Sequence, residues 1–250
     1  MLDADVTCVV PARLGSTRFP RKLLQPLFGK PIIVHTLERA AEAECFADIV
    51  CFTDSEEIGS VVADHGFRYV LTGEAANGTD RIGHNVDSIQ TDLVVNLQGD
   101  EPAFPIEGLV RICVALRRHP QWVHTLVHSE SPTDADMMNL NRVKAVMDSE
   151  NFVLNFQRHG RFVGAKNISP LQTVAIHLGV YGYSKNFLRR YAASPVSARE
   201  IELSHELLRD LNLAPVRAHA APCGAPVDVP ADLEMACERL KTLALQGALS

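Results

Sequence analysis

The sequence lacks several features that would place it in a functional class at once. Its six cysteines include no Cys-x-x-Cys pair, and no Gly-x-Ser-x-Gly motif is present. No apolar run approaches the roughly 20 residues that span a membrane. These absences argue against a dithiol or zinc-ribbon centre, a serine hydrolase and a membrane-spanning protein. The start, MLDADVTCVV, has no basic segment before its apolar stretch, so we expect no secretory signal and a cytoplasmic protein.

Basic stretches are also scarce. The formal net charge is −6 and no long basic stripe is visible, which argues against nucleic acid as the main partner. Positive charge is instead concentrated within one short loop, at Arg13, Arg18, Arg21 and Lys22. A local basic loop on an acidic protein is suited to a small polyanion.

That loop follows the first apolar run, Val6–Val10, and reads PARLGSTRFPRK. It matches neither G-x-x-x-x-G-K-[ST] nor G-x-G-x-x-G. A strand that leads into small and basic residues nevertheless offers backbone N–H groups and cations to phosphate oxygens. The alternative is a solvated basic turn. We favour phosphate binding because open α/β sheets bind ligands at the carboxyl ends of their strands.

The first half alternates apolar runs with amphipathic stretches, which predicts βα units on a mostly parallel sheet. The predicted strands here are Val6–Val10, Ile49–Phe52, Tyr69–Leu71 and Leu93–Leu97, and the predicted helices are Pro31–Ala43, Ser55–Gly66, Thr79–Ile89 and Pro105–Arg118. In the less regular second half the predicted strands are Trp122–Val127, Val143–Met147 and Val174–Tyr183, and the helices are Lys185–Ala193, Arg199–Asn212 and Asp232–Leu245. We expect Gly160–Thr173 to form a loop or flap.

Two further segments carry carboxylates near predicted strand or helix ends. Asp100 follows the strand Leu93–Leu97 in the segment NLQGDEP, and Asp228 precedes Pro230 at the start of the last predicted helix. Mg²⁺ is usually held by one or two carboxylates together with substrate phosphates. The alternatives are a tight turn at Asp100 and a helix N-cap at Asp228.

The segment Asn77-Gly78-Thr79-Asp80-Arg81 offers donors to a base or ribose, or alternatively a helix N-cap with an exposed arginine. His124 and His128 are four residues apart without a third ligand nearby, so we do not predict a zinc site. His177 lies in an apolar strand, where a histidine is usually a hydrogen-bonded core residue.

Taken together, these segments resemble the cytidylyltransferases that activate acidic sugars, specifically the 3-deoxy-manno-octulosonate (Kdo) cytidylyltransferase family. The resemblance covers nearly the whole chain and is carried by PARLGSTRFPRK, GKPIIVHTLERA, FTDSEEI, NGTDR, VVNLQGDEP, HLGVYGY, HELLR and VDVPADLE. It implies a single α/β domain with a nucleotide-diphospho-sugar transferase-like, mostly parallel nucleotide-binding sheet flanked by helices. Residues 1 to about 120 would bind the nucleotide, and a smaller irregular part from about 121 to 250 would bind the sugar and form a homodimer.

The resemblance also implies the reaction and its residues. CMP would pass from CTP to the anomeric hydroxyl of the sugar acid, with Mg²⁺ as cofactor and pyrophosphate as product. The catalytic residues would be Arg13, Lys22, Asp100 and Asp228, with Asp100 and Asp228 holding metal. The nucleotide would contact Pro11, Ala12, Arg13, Leu14, Gly15, Ser16, Lys22, Asn77, Gly78, Thr79, Arg81 and Asp100. The sugar would contact Gln98, Arg158, His177, Tyr181 and Glu206.

The sequence departs from the family pattern mainly in its sugar-binding half. Leu207 replaces a glutamine, and HGRFVGAKN replaces the usual apolar, proline-rich stretch after Arg158. In the nucleotide half, Arg21 stands where the family usually has glycine and Asn77 where it has serine. The alternatives are therefore 8-amino-Kdo or a nonulosonic acid as acceptor, a cytidylyltransferase for an alcohol or phosphonate, and a nucleotide-binding regulator without turnover. Intact Lys22, Asp100 and Asp228 argue against the regulator.

Overall fold

A computed structural model describes residues 5–16, 18–158, 172–203 and 205–247. Its strands, in chain order, are β1 (Val6–Ala12), β2 (Pro26–Leu27), β3 (Lys30–Pro31), β4 (Asp48–Thr53), β5 (Arg68–Leu71), β6 (Leu93–Leu97), β7 (Val123–His128), β8 (Lys144–Met147), β9 (Val153–Gln157), β10 (Thr173–Ser184) and β11 (Val216–Ala221).

The helices are α1 (Ile32–Glu42), α2 (Glu56–Asp64), α3 (Gly78–His84), α4 (Ile106–Arg118), α5 (Asp134–Met138), α6 (Lys185–Ala193), α7 (Ala198–Leu203), α8 (Leu207–Leu213) and α9 (Asp232–Gly247). Short 3-10 turns lie at Lys22–Leu24 and Val86–Ser88. None of the helices in the described ranges is both long and apolar enough to cross a membrane.

The main sheet has the strand order β11-β7-β10-β6-β1-β4-β5. Strands β6, β1, β4 and β5 are mutually parallel, and β11 is parallel to β7. Strand β10 runs antiparallel to both β6 and β7 and therefore joins the two parallel groups. The predicted mostly parallel α/β sheet is confirmed, with β6 in its interior as its apolar sequence indicates.

Strand β10 also continues beyond the main sheet. Its first residues pair with β8, which pairs in turn with β9. The register of β10 against β7 shifts between Leu178 and Tyr181. Such a shift is typical of a β-bulge, and it lies among residues that line the cleft described below.

Helices cover both faces of the sheet because successive side chains of a strand point to opposite sides. On β1, Cys8 and Val10 pack into one core with α1, α2, α4 and α9, whereas Val9 packs into the other core with α3, α6 and α8. Burying both faces explains why β1 is apolar at every position except Thr7.

Several predicted boundaries differ from the structure. The helix expected at Thr79–Ile89 begins at Gly78 and ends at His84, and the helix expected at Arg199–Asn212 is two helices, α7 and α8. Strands β9 and β11 and helix α5 were not predicted. The expected flap at Gly160–Thr173 falls mostly on residues 159–171, which lie outside the described ranges.

Candidate active site

The candidate site is a cleft of about 850 Å³ at the carboxyl ends of β1, β5 and β6. Its wall brings together most of the predicted site residues: Pro11, Ala12, Arg13, Asn77, Gly78, Arg81, Gln98, Asp100, Arg158, His177, Tyr181, Glu206 and Asp228. The cleft thus spans both the predicted nucleotide part and the predicted sugar part. Leu14, Gly15, Ser16, Lys22 and Thr79 lie beside it but are not part of this wall.

Lys22 lies at the junction of the two predicted metal carboxylates. Its Nζ is 2.5 Å from Asp100 Oδ2 and 3.4 Å from Asp228 Oδ1. Arg18 Nη2 lies 2.9 Å from the same oxygen of Asp228, and Arg18 Nη1 donates to Asn141 Oδ1. The basic loop therefore contacts carboxylates contributed by two distant segments, and Arg18 joins it to the far wall of the cleft.

Backbone geometry explains how Lys22 reaches this junction. Arg21 adopts the left-handed conformation, with φ 54° and ψ 32°, directly before the 3-10 turn that begins at Lys22. Glycine enters this region without the steric cost that a side chain imposes. The glycine that the family usually has here fits the same turn, so the arginine keeps the backbone path at a cost in strain. The Arg21 side chain contacts Glu57.

Asp228 is held by its neighbours rather than acting as a helix cap. The backbone N–H groups of Asp228 and Val229 both donate to Asp232 Oδ2, at 2.8 and 2.9 Å. The N–H of Val227 donates to the carbonyl oxygen of Asp100 at 2.9 Å. These bonds fix the two carboxylate segments against each other and leave the side chain of Asp228 directed at Lys22 and Arg18.

This arrangement fits a divalent cation whose remaining ligands come from substrate. Within the described ranges no group of three or more His, Cys, Asp or Glu side chains could hold a metal ion. Asp100 and Asp228 do converge on one ammonium group, and Mg²⁺ is commonly bound by one or two carboxylates plus phosphates and water. The donor set is therefore suited to a cation that arrives with a triphosphate.

Glu101, which the sequence reasoning did not single out, is buried beside this junction. Its Oε2 has no hydrogen-bond partner among the described residues. Burial raises the pKa of Glu101 well above its usual value, and Asp100 and Asp228 raise it further. A Cβ at Gly224 would lie 2.9 Å from Oε2, so the glycine permits this close approach. The neutral carboxyl is the form that this environment favours.

The segment Asn77–Arg81 begins α3. The side chain of Asn77 accepts from the N–H of Asp80 at 2.8 Å and caps the helix. A Cβ at Gly78 would lie 3.0 Å from Pro11 Cγ, so this position has little room for a side chain. Thr79 is buried, with its hydroxyl 3.1 Å from the Tyr183 hydroxyl. The segment is thus packed closely against β1 and the cleft.

Arg81 lines the cleft, yet its described hydrogen bonds are internal. Its guanidinium donates to Asp54 at 2.6 Å, to the Gly73 carbonyl oxygen at 3.1 Å and to the Thr72 hydroxyl. These partners follow β4 and β5, so Arg81 ties the loop after β5 to the edge of the sheet. The sequence predicted its presence at the site but not these internal contacts.

His177 and Tyr181 form one stacked pair in the wall, with ring centroids 5.4 Å apart. The Thr125 hydroxyl donates to the Val180 carbonyl oxygen, so it accepts from His177 Nε2 at 2.8 Å. The Nδ1 atom of the neutral ring is then an acceptor. Burial lowers the pKa of His177 to about 3, with Arg158 contributing to the decrease.

Gln98, another predicted sugar contact in the cleft wall, has an internal partner: its Nε2 donates to Asn96 Oδ1 at 3.2 Å.

Arg158 is positioned by a buried lysine that the sequence reasoning missed. Lys144 is 0% exposed, and its Nζ donates to the carbonyl oxygens of Asn139 at 2.5 Å and Arg158 at 3.0 Å. Burial lowers the pKa of Lys144 and of Arg158. Arg158 lines the cleft, as do Asn139, Asn141, Arg142 and Val143, so the ammonium group of Lys144 connects two parts of its wall.

Glu206 approaches the nucleotide segment directly, because its Oε2 accepts from the N–H of Thr79 at 3.0 Å. Burial raises the pKa of Glu206. The side chain of the neighbouring Leu207, the predicted departure from the family, lies outside the described residues, as does the segment 159–171. The backbone of Leu207 begins α8.

Comparison with known proteins agrees with this architecture. A family model described as cytidylyltransferase matches residues 7–218. The 8-amino-3,8-dideoxy-manno-octulosonate cytidylyltransferase of Shewanella halifaxensis is 37% identical over 246 residues, covering 94% of this chain and 98% of the relative. That of Shewanella amazonensis is 35% identical over 244 residues, covering 95% and 99%.

One solved structure is also closely similar. A CMP:2-keto-3-deoxy-manno-octonic acid synthetase complexed with CTP superimposes with a TM-score of 0.85 at 30% identity, covering 95% of this chain and 98% of that one. HddC from Yersinia pseudotuberculosis has a TM-score of 0.67 at 14% identity, with 94% and 98% covered, and shares the fold.

Proposed function

Because the chain belongs to the cytidylyltransferase family, we propose that it transfers CMP from CTP to the anomeric hydroxyl of an eight-carbon sugar acid of the Kdo type. The observation that carries the proposal is one cleft whose wall contains Asp100 and Asp228, both paired with the adjacent Lys22, together with Arg158, His177 and Tyr181. A triphosphate and an acidic sugar require these two sets of groups within reach of each other.

The nucleotide end would act through charge. Arg13 is exposed in the cleft wall directly after β1, where it can approach phosphate oxygens. Lys22 and Arg18 are paired with carboxylates in the structure. We expect both cations to exchange these partners for the triphosphate when it binds together with a divalent cation at Asp100 and Asp228. A bound Mg²⁺ would supply charge neutralisation and lower the pKa of the attacking hydroxyl.

The sugar end would act by orientation. Arg158 is the cleft cation suited to a sugar carboxylate, because a guanidinium binds a carboxylate through two parallel hydrogen bonds. Neutral His177 offers an acceptor at Nδ1 to a sugar hydroxyl. The acceptor oxygen would then attack the α-phosphorus in line, form the new O–P bond and release pyrophosphate.

Two acceptors are favoured within this class. Kdo is the first, because the chain resembles the Kdo enzymes throughout its nucleotide half and superimposes closely on a CMP-Kdo synthetase. The second is 8-amino-Kdo, because several relatives at 35–37% identity are named for it. A nonulosonic acid and a non-sugar acceptor remain the less favoured alternatives.

Pyrophosphate release tests the proposal. The wild-type protein is incubated with Mg²⁺ and CTP, ATP, GTP or dTTP, each with Kdo, 8-amino-Kdo, a nonulosonic acid or an alkyl phosphonate. We expect release with CTP and an octulosonic acid. A preference for a purine triphosphate, or release only with the phosphonate, would contradict the proposed function.

Further properties are proposed from the same resemblance. We propose Mg²⁺ as the cation, a homodimer as the assembly, the cytoplasm as the location, and residues 1 to about 120 and about 121 to 250 as the nucleotide and sugar parts. Size-exclusion chromatography with light scattering tests the homodimer.

A further inference from the structure

A buried arginine outside the cleft wall connects several acidic groups around the site. Arg209 donates to both carboxylate oxygens of Asp80, at 2.7 and 3.0 Å, and to both of Glu200, at 2.8 and 2.6 Å. Arg209 is 2% exposed, and the two acidic residues are nearly as buried. The guanidinium also lies 4.0 Å above the ring of Tyr191. All three guanidinium nitrogens thus donate to carboxylates, and a lysine ammonium group could not reproduce this planar arrangement.

The two carboxylate partners belong to elements that meet at the cleft. Asp80 lies in the first turn of α3, next to Thr79, whose N–H donates to Glu206. Glu206 immediately precedes α8, and Arg209 follows it by one helical turn. Two side-by-side links therefore join the start of α8 to the start of α3, one through Glu206 and one through Arg209.

Tyr191 supplies a third connection. Its hydroxyl accepts from Asn77 Nδ2 at 3.4 Å and donates to the carbonyl oxygen of Glu206 at 3.4 Å. Asn77 Nδ2 also donates to Glu200 Oε1 at 3.2 Å. Tyr191 thus contacts both Asn77, the N-cap of α3, and the backbone of Glu206. It also packs against Arg209.

We propose that Arg209 is a positioning residue that couples the nucleotide and acceptor sites, acting through Asp80 and Tyr191 on the segments that carry Gly78 and Glu206. The inference rests on the proposed function. The physical reason is that a ligand that orders one of two rigidly joined segments also orders the other, so the second ligand loses less conformational entropy on binding. Binding of one substrate should then strengthen binding of the other by the same factor in either order.

The experiment measures this factor without turnover. The dissociation constant of α,β-methylene-CTP, which resists cleavage at the α-phosphorus, is determined by calorimetry in Mg²⁺ buffer with and without saturating acceptor. The acceptor is whichever sugar acid gives pyrophosphate with the wild type. We expect the acceptor to tighten nucleotide binding about tenfold in the wild type, within the usual range for coupled sites.

Two variants test the assignment. Arg209→Lys keeps a positive charge but loses the two-sided fork, and Tyr191→Phe keeps the ring under the guanidinium and removes only the hydroxyl. We expect the coupling factor to fall below about twofold in Arg209→Lys and to decrease in Tyr191→Phe. Arg189→Gln is the matched control: Arg189 is also on the α6 side of the protein and pairs with exposed Asp87, and its removal should leave the factor unchanged.

If Arg209 has a purely structural role, both variants should have lower thermal stability but the coupling factor of the wild type. That result would overturn the proposal. The absence of coupling in the wild type would overturn it as well. If Arg209→Lys does not fold, Tyr191→Phe decides. Failure of the wild type to release pyrophosphate with any sugar acid would instead count against the proposed function.

Discussion

The ammonium group of Lys22 lies 2.5 Å from Asp100 Oδ2, although the two residues are 78 positions apart in the sequence. The same group reaches Asp228 at 3.4 Å. One cation from the basic loop therefore neutralises both carboxylates proposed to hold metal. This pairing keeps two acidic side chains close together without strong repulsion, and it places Lys22 where the triphosphate is expected.

Removing one of these carboxylates should abolish most activity with little effect on folding. In Asp100→Asn we expect kcat/KM to fall at least about 10³-fold, because a ligand is lost where charge develops on the phosphates. Asp228→Asn should behave alike. Pyrophosphate release across a Mg²⁺ titration measures the effect, and circular dichroism checks the fold. Asp87→Asn, at a largely exposed carboxylate, is the control. Near wild-type turnover of both variants at limiting Mg²⁺ would show the metal assignment to be wrong.

Lys144 should control acceptor binding rather than nucleotide binding. In Lys144→Met the carbonyl oxygens of Asn139 and Arg158 lose their shared charged donor, and a hydrogen bond to a charged group contributes about 1.5–3 kcal/mol. We expect the KM for the sugar acid to rise about tenfold, equivalent to about 1.4 kcal/mol, while the KM for CTP stays within about twofold. Lys30→Met, which removes the surface pair with Glu38, is the control. An equal rise in both KM values would contradict a role at the acceptor end.

Glycine at position 21 should make the folded protein more stable than another residue without the ion pair would. Its left-handed backbone disfavours a residue with a Cβ, whereas its ion pair with Glu57 is exposed and contributes little. We therefore expect Arg21→Gly to be more stable than Arg21→Ala by about 1 kcal/mol, because both lose the ion pair and only alanine keeps the strain. Urea unfolding of the two variants measures the difference. Equal stability would mean that the turn relaxes at no cost.

His177 should make the protein sensitive to acid. Its pKa falls from an ordinary 6.5 to about 3 in the folded state, so the unfolded chain binds the proton more readily. The stability that depends on neutral His177 is thus present above pH 6.5 and is lost as the pH falls toward 3. Between pH 7 and pH 4.5 we expect wild type to lose about 2.5 kcal/mol more than His177→Gln does. Denaturant titrations at the two pH values measure this loss. An equal loss of unfolding free energy in wild type and His177→Gln would contradict the prediction.

The sequence alone determined the fold class and the position of the basic loop at the carboxyl edge of the sheet. Membership of the cytidylyltransferase family was predicted from the resemblance of several motifs to that family. The mostly parallel sheet and the course of β1, α1 and β6 were predictable because each rests on a local pattern of apolar residues, caps and turns. The meeting of the PARLGSTRFPRK loop with Asp100 also followed, since the carboxyl ends of adjacent parallel strands share one edge of a sheet. The individual roles of the site residues remain predictions.

Elements with weak local patterns were missed. Strand β11, with the sequence VRAHAA, is rich in small residues and pairs only with β7 among the main-sheet strands. Strand β9 pairs with β8 and not with the main sheet. Both strands are stabilised by partners distant in sequence, so their own composition gave little signal. The break between α7 and α8 was missed because the apolar spacing continues across it.

Tertiary structure decided where each polar residue of the site lies and which partner it pairs with. Arg81 and Arg209 have similar sequence signals, an arginine on a short helix, and both are buried, but Arg81 pairs with Asp54 at the cleft wall and Arg209 pairs with Asp80, 129 positions away. The sequence likewise does not indicate that Lys144 is buried and donates to two backbone carbonyl oxygens. A buried ion pair depends on the mutual placement of distant segments, and local propensity carries no information about that placement. The fold therefore assigned these cations to positions that the sequence pattern left open.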